Sequence, residues 1–360
     1  MRDPRPESPS AGDPEERASF RDRARRFWNR HRRLFWMVHS VWALVTGIAV
    51  VVLAHERYSF VPWVVVFLGV TWLSTLFFGG RPDGTARGVG DRMEDLQAPP
   101  VGVEITSYLT RTLYQETLFF LIPFFAYSTV PTSPNLAFTA LLVGLALLSC
   151  LDLLFDRLLR TSPLFGMLFF ATVAFAALTL LLPIVLQVDP AVASRVAAVA
   201  AVATAAPLVW RGARGLWGRT RMLAPGLAIL VVGFALPVLV PPVPLRMTDA
   251  TFAAGIDPDS LELSAPLESP APAASVEAGL VVLVEVFSPS ELSTTVELDW
   301  FRDGERIGGT GEVQIAAHPW GFRVWGLWRP ETGATPPGRY RTTLKTREGR
   351  VFGVAELEVR

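Results

Sequence analysis

Leu34–Ala54 is a run of twenty-one residues without a single Lys, Arg, Asp or Glu. No other feature constrains the fold as much. A helix needs about 20 mostly apolar residues to cross the hydrocarbon core of a bilayer, and inside that core every backbone polar group must be satisfied within the segment. Tyr58–Phe78 repeats the pattern, and Leu164–Leu186 and Met222–Val240 are equally free of charge. Three more runs are interrupted. Leu113–Val130 carries Gln115 and Glu116 near its start, Leu136–Phe155 runs into Asp152, and the alanine-rich Ala191–Trp210 holds Arg195. Together they predict about seven transmembrane helices, with six and eight as the neighbouring counts.

The formal net charge of zero conceals strong segregation. Cytoplasmic loops of membrane proteins hold the excess of Lys and Arg. With the leader inside, seven spans place Arg81–Arg111, Arg157 with Arg160, and Arg211–Arg221 on the leader's side, twenty basic residues in all, against Arg57 and Arg195 opposite. This distribution predicts a membrane protein with a cytoplasmic N-terminus and an extracytoplasmic C-terminal domain. A cleaved signal peptide is not expected, because the first apolar run lies behind a charged leader and has the length of a full span.

Residues 1–33 read as a disordered, basic cytoplasmic leader. Its stretch Arg21–Arg33 interleaves arginines with Phe27 and Trp28 immediately before a span, which suits anionic headgroups better than nucleic acid. Residues 34–245 form the expected helical domain. Pro241-Pro242-Val243-Pro244 ends its last helix. Residues 246–275, rich in Ala, Pro and Ser, read as a linker. From residue 276 the pattern is β: Val296, Leu298 and Trp300 alternate with Glu297 and Asp299. Asp303-Gly304 and Glu348-Gly349 supply hairpin turns. The fold class expected is therefore a membrane all-α helical bundle followed by a small all-β antiparallel sandwich of immunoglobulin-like type over 276–360. From Asp249 onward, 17 acidic residues face 10 basic ones, so no basic footprint for nucleic acid is present there.

Ionisable groups in membrane segments are functional candidates. Gln115 and Glu116 at one end of the third run, with Asp152 and Asp156 at the matching end of the fourth, form a candidate intramembrane polar cluster. One reading is a proton, ion or polar-substrate site; the other is an interfacial ion-pair network with Arg111 and Arg157. His39 lies alone in the first run. His31, His55 and His318 fall in separate segments, so no metal-ligand spacing exists and no cofactor is expected. Cys150, the single cysteine, reads as a small buried hydrophobe. Gly84, Gly88 and Gly90 lack a following Gly-Lys-Ser/Thr and read as a loop. No nucleophile elbow or zinc-protease motif occurs, so no catalytic residue is expected. The β-region's Trp320, Trp325 and Trp328 are candidate partner-binding aromatics, with the sandwich core as the competing destination.

In these segments the chain resembles a family of uncharacterised bacterial multi-span membrane proteins with a C-terminal domain of unknown function. The resemblance rests on Gln115-Glu116-Thr117-Leu118-Phe119-Phe120 with Pro123-Phe124, and on Ser149-Cys150-Leu151-Asp152 ahead of Phe155-Asp156-Arg157-Leu158-Leu159. In the soluble part it rests on Trp300-Phe301-Arg302-Asp303-Gly304, Gly321-Phe322-Arg323-Val324-Trp325, Gly338-Arg339-Tyr340 and Glu348-Gly349-Arg350-Val351-Phe352-Gly353. Where the family often has His two places before the first Trp, this chain has Leu298. The resemblance implies an envelope protein with a β-sandwich and supplies no activity. Two functions are therefore expected: a membrane-anchored sandwich that binds an envelope protein or a glycan, or a transporter or membrane enzyme working at Glu116 and Asp152.

Overall fold

A computed structural model describes residues 41, 45, 115–151, 154–155, 158, 161–212, 215–276, 279–288, 292, 294–315, 321–330 and 334–360. The chain divides into two units, Met1–Thr46 and Gly47–Arg360. Of the first, only Val41 and Val45 are described, both helical. All that follows concerns the second.

Five helices can be followed: α1 over 115–127, α2 (Leu136–Cys150), α3 (Pro163–Leu186), α4 (Pro190–Gly212) and α5 (Gly215–Phe234). Local chemistry sets their ends. Ser162 caps α3 by accepting the Phe165 N–H at 3.2 Å, with Pro163 at the first helical position where no donor is needed. The same helix stops at Gln187, which turns left-handed at φ 53°. Asp189 then opens α4 by accepting the Ala191 N–H at 2.8 Å.

Small residues meet where these helices touch. Ala171, Ala174, Ala176 and Ala177 of α3, and Ala193, Ala197, Ala198 and Ala201 of α4, are all buried. Gly233 of α5 lies so close to Ala198 that an added Cβ would stand 2.6 Å from the Ala198 methyl carbon. Large apolar side chains point the other way. Val192, Val196 and Val199 on α4, and Leu223, Leu227 and Val231 on α5, are exposed at helical spacing.

The seven-helix membrane bundle expected from the apolar runs is overturned. Among the described residues one helix is long and apolar enough to cross a membrane, Leu164–Leu186. The multi-pass count drawn from those runs falls with it. The physical reason is helix length. At 1.5 Å per residue the 15 residues of α2 reach about 22 Å, against a hydrocarbon core of about 30 Å. Among the described residues, the apolar stretches found in α4 and α5 are the shorter Pro190–Ala205 and Leu223–Phe234. An apolar run counts residues; a crossing also needs one unbroken helix. The runs 34–54 and 58–78 lie outside the described residues.

After a 3₁₀ turn at Pro237–Leu239 the chain enters two antiparallel sheets. Strands are β1 (Arg246–Ile256), β2 (Leu263–Pro266), β3 (Leu280–Phe287), β4 (Thr294–Arg302), β5 (Glu305–Gly309), β6 (Val313–Ile315), β7 (Phe322–Trp328), β8 (Gly338–Thr346) and β9 (Val351–Val359). One sheet has the order β2-β1-β3-β7 and the other β5-β4-β8-β9, with β6 also on β4. The chain crosses between sheets after β3, before β7 and after β7. Trp300, Val296, Leu298, Val282, Val284 and Leu357 fill the space between them. Tyr340 is fully buried and its hydroxyl donates to the Pro336 carbonyl at 2.8 Å, pinning the chain as it enters β8. Asp303 (φ 50°) and Gly304 (φ 91°) make the β4–β5 turn.

Residues 246–275, expected as a linker, instead supply β1 and β2. β3 is apolar at nearly every position, and such a strand needs a covered neighbour on each side. β1 provides one, pairing from Arg246↔Phe287 to Ala253↔Val281. Its Ala- and Gly-rich composition hid that role.

Candidate functional site

The sandwich sits directly on the helices, and the polar groups that join them are buried. Ser128, just beyond α1, donates its hydroxyl to the Leu245 carbonyl at 2.6 Å. Asn135, fully buried before α2, donates its amide to the Val351 carbonyl at 2.6 Å. Asp189, in the turn between α3 and α4, accepts the Thr294 hydroxyl at 2.5 Å with the carboxylate oxygen not used for the α4 cap. The Arg246 guanidinium stacks over Tyr127 (5.3 Å) and Phe287 (5.1 Å), one ring from each part.

Arg350 lies at the centre of the electrostatics. It follows the β8–β9 turn and is 1 % exposed, and its Nε and Nη1 have no hydrogen-bond partner. Burial pushes its pKa down to about 10; Glu348 and Asp189 favour the charged form and Arg195 opposes it. Oδ1 of Asn135, Oγ1 of Thr346 and Oγ of Ser194 are likewise buried without partners. Buried polar groups in native proteins are nearly always paired.

The residues expected to act lie elsewhere. Gln115 is buried and its side-chain amide donates to Sγ of Cys150 at 3.2 Å, tying α1 to α2. Glu116 is half-buried one position along. Asp152 and Asp156 lie outside the described residues, as do Trp320 and the four histidines. Trp325 and Trp328 stand on opposite faces of β7. Trp328 packs its ring 5.3 Å from that of Tyr340, whereas Trp325 alternates outward with Arg323 and Leu327. Among the described residues no three His, Cys, Asp or Glu side chains gather to hold a metal ion.

The profile of a family described as "Family of unknown function (DUF5924)" matches residues 17–282, more than half of the chain. The chain belongs to this family. Within DUF5924 the matched stretch takes in the five described helices, β1, β2 and the first three residues of β3; of the junction's sandwich-side residues it includes Leu245 and Arg246, while Phe287, Thr294, Arg350 and Val351 lie beyond. No curated protein and no solved structure matches the chain.

Sequence reasoning missed Arg350 as a site residue. Its only signal was position, directly after a Glu-Gly turn where a basic side chain ordinarily faces water.

Proposed function

We propose that this DUF5924 protein is a membrane-embedded component of the bacterial envelope, whose helices hold a β-sandwich outside the cytoplasmic membrane for a partner to bind. The observation that carries the reading is the seam itself. Three hydrogen bonds, Ser128–Leu245, Asn135–Val351 and Asp189–Thr294, fasten the sandwich to one end of the helices without a flexible tether. A domain meant to search freely needs a linker; one meant to offer a surface at fixed height needs a base. The outward Val and Leu faces of α4 and α5, with alanine inside, suit lipid around that base. The arginine excess before the helices supports a cytoplasmic leader.

The test combines topology with function. A periplasmic-active phosphatase fused after Arg360 is expected to be active, and a cytoplasm-only reporter at the same point silent. In a null strain, a chain truncated before residue 246 is expected not to complement. Full complementation by that truncation would sink the reading.

A further inference from the structure

The two sheets do not meet all along their shared edge. Between β1 and β9 runs a groove of about 450 Å³, whose walls are residues 247–252 of β1 and 354–357 of β9. Among the described residues, both strands present backbone groups to it that no neighbouring strand takes up. β9 has β8 on one side only, and on the other is bridged just at its end, where Ala271 donates to the Glu358 carbonyl at 2.8 Å. Strand parity then directs the N–H and C=O of Glu356 and Val354 outward into the groove. On β1, Phe252 uses its carbonyl for the Leu267 N–H at 2.8 Å. β2 pairs with β1 only from Ala253 onward, so Ala250, with the same parity as Phe252, also faces the groove. An open strand edge is a template for another strand.

We infer that this groove binds an extended basic peptide, which adds as a strand along β9 and places Lys or Arg side chains against Asp249 and Glu356. The backbone edges supply affinity without sequence, as in other strand-addition sites. Charge selects the occupant: Asp249 and Glu356 are both exposed at the groove, and among its described lining residues there is no Lys or Arg. Phe252, Leu267 and Leu357 give the floor an apolar character, which suits a peptide alternating basic and apolar residues. A glycan is the poorer occupant, since it has no row of amides to match the strand edges. The inference rests on the presentation reading and names the class of partner.

The probe is a fluorescent hexapeptide, Lys-Val-Lys-Val-Lys-Val, titrated to millimolar concentration against the full chain in detergent. Amide exchange at Val354 and Glu356 is followed alongside. Saturable binding with slowed exchange at both amides is the expected result. Glu356→Lys is expected to weaken binding about tenfold by placing like charges together. Val354→Pro removes an outward donor at a position where an edge strand tolerates proline, and is expected to abolish binding. Unchanged exchange at saturating peptide, equal binding of Glu-Val-Glu-Val-Glu-Val, or full affinity in Glu356→Lys each overturns the inference. These failures are separate from failure of the presentation reading. Peptide binding can hold while the truncated chain complements, and complementation can require the sandwich while the groove stays empty.

Discussion

The hydroxyl of Thr294, the first residue of β4, donates to Oδ2 of Asp189 at 2.5 Å across 105 positions of chain. The other oxygen of the same carboxylate caps α4 through the Ala191 N–H. One side chain therefore starts a helix and fastens a sheet.

Replacing Asp189 by Ala removes both bonds. The expected loss is about 1–3 kcal/mol, a cap plus a charge-assisted hydrogen bond. Thr294→Val removes only the second. Thermal unfolding of the two single variants and the double variant separates the contributions. If Thr294→Val costs as much as Asp189→Ala, the cap contributes nothing.

Arg350 carries its charge into a buried junction with two donors unpaired. Its folded pKa, near 10, lies below the ordinary arginine value, so the folded state holds this proton less tightly than the unfolded one. The group therefore opposes folding at neutral pH, and that opposition is relieved as pH rises from about 10 toward the ordinary arginine value. Arg350→Met keeps the volume and discards the charge. It is expected to stabilise the protein by about 1–3 kcal/mol, read as a higher denaturation midpoint in detergent. A lower midpoint would show that a partner group holds the guanidinium in the intact protein.

Asp299 is nearly buried on the outer face of β4. Burial raises its pKa, but hydrogen bonds from Lys345 and Arg306 outweigh that and hold it below the ordinary carboxylate value. The contacts are 2.7 Å to Lys345 and 2.8 Å to Arg306. A depressed carboxylate contributes stability that is complete above its unfolded pKa of about 3.8 and is lost as pH falls through the lower folded value. Wild-type stability is expected to drop through that acid window, and Asp299→Asn to flatten the dependence. Parallel pH curves for the two proteins would refute the assignment.

Gly233 leaves no room for a side chain, with an added Cβ at 2.6 Å from Ala198. Gly233→Ala is expected to cost about 1–3 kcal/mol by overpacking α4 against α5. Ala198→Gly in the same chain should return much of it. An absence of rescue would mean that the clash is not what limits the approach of these helices.

How much of this was written in the chain differs from element to element. The alternation of Val296, Leu298 and Trp300 marks a strand with one buried face, and all three are buried in the core of the sandwich. Asp303-Gly304 announces its turn because few residues tolerate positive φ. β1 was not legible, since Ala250, Ala253 and Gly255 carry little strand preference; pairing with β3 holds the two alanines and pairing with β2 holds Gly255. The site was scarcely legible at all. Asn135, Asp189, Thr294 and Arg350 are scattered through the chain, and no periodicity links a helix start to the end of a distant hairpin.

By itself, then, the sequence determined where apolar segments gather, where charge changes sign and where a β-pattern begins, because these are local sums over neighbouring residues. The tertiary structure alone decided how long the helices run, that one described helix has the reach to span a bilayer, and that the sandwich is seated rather than tethered. Those outcomes depend on which distant groups find each other. Asp189 finds Thr294, Asn135 finds Val351, and Arg350, just past the β8–β9 turn, is buried.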